Sequence, residues 1–140
     1  MRRLFIIRKD LNLKAGKLAA MVSHCAEAYW LSLIKQSYNN NCKINIDKNI
    51  YDNYICDIFT KTICEARNLN QLNKAKEIAD ELGLVENIDY GFIDDCCKTD
   101  LEPEFVDANG IGRCRVGIWF KPLKDEVAHT ISKKFKLYRD

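Results

Sequence analysis

The chain is 140 residues long, 47% hydrophobic and 30% charged, with a formal net charge of +2. That length buries one core well and two poorly, so a single domain over residues 1–140 is expected. So small a charge excludes an overtly basic nucleic-acid binder, whose pI would exceed about 9, and leaves any polyanion contact to local patches.

The first element in chain order is the apolar run Leu4–Ile7, which has a strand's length and β-favouring residues. A short basic connection leads to Lys14-Ala-Gly-Lys-Leu-Ala-Ala-Met-Val-Ser-His-Cys-Ala-Glu-Ala-Tyr29, which opens a helical pattern. Leu18, Val22, Cys25, Tyr29 and Leu33 recur on one side, flanked by Met21, Ala26, Trp30 and Ile34. Ala19, Ala20, Ala26 and Ala28 keep the helix slim enough to lie close to a sheet or another helix. Gly16 and Lys17 fall in its first turn, where free backbone N–H groups, the positive end of the helix dipole and an ammonium coincide, and an anion belongs there. The alternative is an amphipathic core helix with a solvated lysine. A P-loop is excluded, because Leu11 and Leu18 stand where that motif needs a glycine and a hydroxyl.

From Ser37 to Asp47 the chain is polar, and Asn39-Asn-Asn41 marks a loop. Asp47 is placed to cap a short helix running to about Asp57, with Ile50, Tyr51, Tyr54, Ile55 and Ile58 at helical offsets. Phe59–Ala66 reads as a strand. Asn68 then caps a helix over Leu69–Leu82, with Leu72, Ala75, Ile78, Ala79 and Leu82 on one face and Gly83 ending it. Asp89–Asp95 is a short strand leading into the loop Asp95-Cys-Cys-Lys-Thr-Asp-Leu-Glu-Pro103. Loops at strand ends are where α/β proteins usually hold their chemistry. A turn at Asp107-Ala-Asn-Gly110, a strand over Arg113–Phe120, a helix over Asp125–Lys134 and the segment Phe135–Tyr138 complete the chain.

Seven cysteines, at 25, 42, 56, 64, 96, 97 and 114, are odd in number and contain no Cys-x-x-Cys pair. That spacing fits neither a disulfide framework nor a structural zinc site, and it points to a reduced, cytoplasmic protein. Cys25, Cys56 and Cys64 fall in apolar patterns, where cysteine acts as a small hydrophobe. No apolar run approaches the roughly 20 residues that span a bilayer, and Leu4–Ile7 is too short for a signal-peptide core, so no membrane association is expected.

Two segments resemble the signatures of the type 2 peptidyl-tRNA hydrolases. Lys14-Ala-Gly-Lys-Leu-Ala-Ala-Met-Val-Ser-His-Cys-Ala26 is similar to that family's Gly-Lys-x-Ala-Ala-Gln-x-Ser-His-Ala run after its first strand. Asp95-Cys-Cys-Lys-Thr-Asp-Leu-Glu-Pro103 is similar to its Asp-Ala-Gly-Arg-Thr-Gln-Ile-x-Pro segment. Most of the chain is covered, except a longer stretch around residues 37–58 and the segment 104–112. The resemblance implies a three-layer α/β/α fold around a small mixed sheet of about four strands, hydrolysis of the ester between a peptide and the 3′ end of tRNA, and no cofactor or metal. It also implies essential roles for Lys17, Asp95 and Thr99, with Lys14, Gly16, Met21, His24 and Lys98 on the substrate side. Lys98 replaces an arginine, so a bidentate phosphate grip becomes a point charge. Met21 replaces the family's glutamine, and Glu104-Phe-Val-Asp107 replaces Gly-Ser-x-Thr, removing two hydroxyls and adding negative charge near the site.

Ester hydrolysis needs a positioned water and a positive or hydrogen-bonding group where the carbonyl oxygen gains charge. Asp95 is the candidate base or water-orienting group, Lys17 the partner of an oxyanion or a terminal phosphate, and Thr99 a hydrogen-bonding group for water, carboxylate or ribose. An Asp and a Thr four apart also commonly just cap a turn. His24, two turns into the helix, fits a buried, hydrogen-bonded structural role better than a catalytic one, and His129 fits packing in the last helix. Ser23 lacks a nucleophile elbow, and His24 with Cys96, Cys97 or Cys114 matches no common zinc spacing. Arg2, Arg3, Lys14, Lys98, Arg113, Arg115 and Lys121 are the candidate phosphate contacts for a tRNA partner. The competing classes are a catalytically silent RNA-binding or regulatory module and a thiol-reactive protein using Cys96-Cys97, and a homodimer is compatible with the chain.

Overall fold

Leu4, Phe5, Ile6 and Ile7 are all fully buried. A strand buries consecutive residues only when both faces of its sheet are covered. The computed structural model describes all 140 residues. In order, its elements are β1 (Arg3–Arg8), α1 (Ala15–Tyr38), α2 (Lys48–Ile50), β2 (Lys61–Ala66), α3 (Leu69–Glu81), β3 (Tyr90–Asp95), β4 (Phe105–Val106), β5 (Gly112–Phe120), α4 (Asp125–Ser132) and β6 (Lys136–Leu137). Leu4 and Ile6 pack with Leu72, Ala75 and Ala79 of α3 and with Ala128 and Ile131 of α4. Phe5 and Ile7 pack on the opposite face against Met21, Cys25 and Tyr29 of α1. Each layer takes alternate residues of the same strand, and the result is an α/β/α sandwich.

The sheet is mixed and six-stranded, in the order β3-β5-β1-β2-β6 with β4 paired to β5. It therefore exceeds the four or so strands expected. The two additional ones, β4 and β6, are two residues long, too short to carry a readable alternation. β1 and β2 are parallel in the register Arg3↔Lys61 to Arg8↔Ala66, and β5 runs antiparallel to both β1 and β3. β1, β2 and β3 thus point the same way and end at one edge of the sheet. The start of α1 and the loop after β3 meet at that edge.

Local signals act as their chemistry requires. Asn68 Oδ1 accepts the Gln71 N–H at 2.9 Å and starts α3, and Gly83 ends it at φ +78°. Leu82 is the helix's C-cap and is exposed, so the buried face stops at Ala79. Asp47 accepts the Ile50 N–H at 3.1 Å, but the helix it starts passes into a π-helical turn over Tyr51–Ile55. That turn carries Tyr54 inward, where it stacks on Trp30 at 6.4 Å. Tyr51, Ile58 and Cys56 are left exposed, against the expectation that they share the buried face. α4 stops at Ser132, two residues short of Lys134. No helix is long and apolar enough to cross a membrane.

Arg3 is not a rim residue. It is completely buried, donating to the Phe120, Ala26 and Cys25 carbonyls at 2.9, 2.6 and 2.9 Å with its guanidinium 4.8 Å from the Phe5 ring centre. Burial pulls its pKa down to about 10, still far above neutrality, so a charged group ties α1 to the sheet through carbonyl dipoles and aromatic faces, without an acid partner.

Candidate active site

The first turn of α1 is uncapped. Lys14 precedes it in extended conformation without a side-chain cap bond, and no acid lies in the turn. Its leading N–H groups are therefore open to an anion. A Cβ at Gly16 would meet nothing within 4 Å, so the fold leaves free space beside them. From this turn Lys17 donates to Asp95 Oδ1 at 2.9 Å and to Thr99 Oγ1 at 3.3 Å. Asp95 is the last residue of β3, just past a bulge between Ile93 and Asp94, and is 9% exposed. Its other oxygen accepts the Cys97 N–H at 3.0 Å. Burial pushes the Asp95 carboxyl up, but the Lys17 ammonium, the Cys97 N–H and the charge of His24 outweigh it, and the pKa ends below its ordinary value. Asp95 is thus ionised at neutral pH and oriented through both oxygens.

The loop after β3 bends through Cys97, whose φ is +57°. This is the left-handed region, which costs a residue with a Cβ roughly 1–2 kcal/mol, and Cys97 stands where the resembling segment has glycine. Cys97→Gly is expected to stabilise the fold by about 0.5–1 kcal/mol once glycine's greater unfolded-state entropy is subtracted. A urea titration would read this as a higher midpoint at unchanged slope, and a lower midpoint would count against strain at this bend. Burial and the neighbouring Asp95 and Cys96 push the Cys97 thiol up, which opposes thiolate chemistry at neutral pH.

Acids that the sequence placed near the site as added negative charge have other partners. Arg8 donates to both oxygens of Glu104 at 2.7 and 2.8 Å, to Asp10 at 2.9 and 3.1 Å and to the Arg115 carbonyl at 2.9 Å. Glu104 therefore ties the loop to the end of β1, sharing the Arg8 charge with Asp10. Asp107 accepts the Asn109 and Ile111 N–H groups and the Arg113 guanidinium, at 2.9, 3.0 and 2.8 Å, closing the β4–β5 turn. Arg115 grips Asp94 through two bonds at 2.8 and 3.0 Å, with its guanidinium 4.0 Å from the Phe92 ring centre. Arg8 and its acid pair are what sequence reasoning missed. A charged residue closing an apolar strand was the only signal, and it names no partner.

The predicted site residues divide accordingly. Lys17, Asp95 and Thr99 converge, with Gly16 beside them and Lys14 and Lys98 exposed at the rim. Arg113 and Arg115 are close by, but both are engaged in ion pairs. Met21 is 2% exposed and belongs to the core under α1, not to the cleft surface. His24 is exposed, against the buried role expected, because it lies on the flank of α1 beside the inward Met21-Cys25-Tyr29 stripe; His129 on α4 is exposed as well. Arg2 and Lys121 pair with Asp125 and Asp89 at the opposite edge of the sheet. No three His, Cys, Asp or Glu side chains converge as a metal-holding group.

Comparison with known proteins bears on this arrangement. Residues 1–138 match the family described as peptidyl-tRNA hydrolase PTH2. A peptidyl-tRNA hydrolase of Thermoplasma acidophilum is 25% identical over 131 residues, covering 94% of this chain and 92% of its own length. One of Sulfurisphaera tokodaii is 32% identical over 111 residues, covering 79% of this chain and 84% of its own.

Proposed function

The chain belongs to the peptidyl-tRNA hydrolase PTH2 family, and from that premise we propose that it hydrolyses the ester joining a peptide to the 3′ end of tRNA at the Lys17–Asp95 pair. Family membership carries the activity; the 2.9 Å contact between ammonium and carboxylate at an uncapped helix start carries the placement. Asp95 orients the attacking water, using lone pairs left free by Lys17 and Cys97. An ammonium has three donors, of which Asp95 and Thr99 take two, and the third meets the carbonyl oxygen as it becomes an oxyanion. Thr99 accepts from Lys17 and has its own O–H to offer the terminal ribose. Water adds to the carbonyl carbon, the bond to the ribose oxygen breaks, and the water's proton ends on that oxygen, giving a free peptide and a tRNA with a free terminal hydroxyl. The reading is tested by peptide release from an N-acylated aminoacyl-tRNA; binding without release would identify a silent tRNA-binding module instead.

For the tRNA body, the supporting observation is where unpaired cations lie. Arg2, Arg8, Lys17, Arg113, Arg115 and Lys121 are engaged in ion pairs. Arg67, Lys133, Lys134 and Lys136 instead line, with the single acid Glu65, a depression of about 260 Å³ at the sheet edge where β2 ends, the edge that also carries Lys14 and Lys98. We assign the phosphate backbone to this strip and the protein to the cytoplasm, where its substrate is made. The logarithm of tRNA affinity should fall linearly with the logarithm of salt concentration, and Lys134→Ala and Lys136→Ala should each reduce the slope by about one. A flat salt response in wild type would sink phosphate-driven binding.

A further inference from the structure

An open groove of about 510 Å³ lies between α1 and β3, starting about 10 Å along α1 from Lys17. Its near end is lined by His24, two turns past Lys17, and by Ile93, two residues before Asp95. Its floor is Ile93 and Trp119, and Ala28 and Leu31 form the α1 wall. The Trp119 indole lies flat on Gly91, where a Cβ would come within 2.8 Å of its ring atoms. The floor is therefore level only because Gly91 has no side chain. From His24 to Gln36 the groove follows α1 for about 18 Å, the reach of about five residues of extended chain.

The substrate has two parts to place on either side of the ester. Unpaired cations lie at the start of α1 and along the sheet edge, the tRNA side. The groove leads away from them, and its charged wall residues, Glu27 and Lys35, are opposite in sign. β3 is an outer strand of the sheet and so leaves a row of backbone N–H and C=O groups outside the ladder. Ser32, Gln36 and Asn87 add hydrogen-bonding side chains along the rim. Such a surface suits a strand-like peptide held by its main chain over apolar flats.

Resting on the hydrolase reading, we infer that this groove binds the peptidyl part of the substrate in extended form, its C-terminal residue at Lys17 and Asp95 and its chain running along α1 toward Gln36. Main-chain recognition leaves side-chain identity unread. The test compares tRNA carrying a single N-acetylated residue with tRNA carrying a pentapeptide ending in that same residue. Wild type is expected to show a KM about tenfold lower for the pentapeptide at similar kcat. Ala28→Trp, which fills the groove above Trp119, and Leu31→Asp, at a position already 45% exposed, should each cut that preference to about twofold or less. Leu31→Asp keeps the test usable should Ala28→Trp not fold. Equal KM values in wild type, or a preference surviving both substitutions, would overturn the groove alone. Cleavage of neither substrate by wild type would overturn the hydrolase reading and the groove with it.

Discussion

Asp95→Asn is expected to lower kcat for peptide release by about 10² to 10⁴, the usual worth of a positioned base or water-orienting group. Asn keeps the shape and can still accept from Cys97, but it loses the charge that holds Lys17 at 2.9 Å and the acceptor that aligns the water. Lys17→Ala should cost about 10² to 10³, as removal of an oxyanion donor does. Because the two act through one contact, the double variant should fall little below the worse single one. Single-turnover release from N-acylated aminoacyl-tRNA measures all three, and full rate in both single variants would reject the site. The pH profile adds an independent reading. Asp95 has a depressed pKa, so its carboxylate persists as pH falls through the ordinary carboxylate range. Rate should therefore hold to below that range. The stability contributed by the Lys17–Asp95 contact follows the same sign, present above the unfolded-state pKa and lost as pH falls through the lower folded one.

Arg3→Ala is expected to cost about 3–5 kcal/mol of stability, the largest effect of any substitution away from the site. It removes a fully buried side chain that bridges the Cys25 and Ala26 carbonyls of α1 to the Phe120 carbonyl of β5. The cavity it leaves lies against Phe5 and Tyr29. Arg3→Lys should recover only part of the loss, since an ammonium cannot reach three carbonyls in the guanidinium's planar fork. Neither variant should change the salt slope of tRNA binding at a temperature where it is folded. Urea midpoints for the two variants, with salt titrations beside them, check both statements, and a reduced salt slope for folded Arg3→Ala would return this residue to the phosphate-binding surface.

The contrast between Arg3 and Lys17 shows what could be read from the chain. Lys17 was legible because its place is local: an apolar strand, a short connection and a helical period put a lysine in a first turn, whatever the rest of the molecule does. Asp95 is one of two acids closing a short strand, and it is the resemblance to the family segment, not the local pattern, that separates it from Asp94. Asn68 and Gly83 declared the ends of α3 through their own capping chemistry. Arg3 looked like one more cation beside Arg2, yet it begins a strand whose two faces are both covered, and only the layers above and below it make its position interior.

Sequence by itself determined the α/β alternation and the capped ends of α3, because periods of 2 and 3.6 residues and capping bonds act within a few positions. Tertiary structure alone decided which charge neutralises which. Strand order β3-β5-β1 brings Arg8, Glu104 and Arg115 together from far apart in the chain, draws Arg113 to Asp107 and leaves His24 facing solvent on the flank of α1. Ion pairing depends on distance in space, and that distance is set by strand neighbours which no local pattern in this chain specifies.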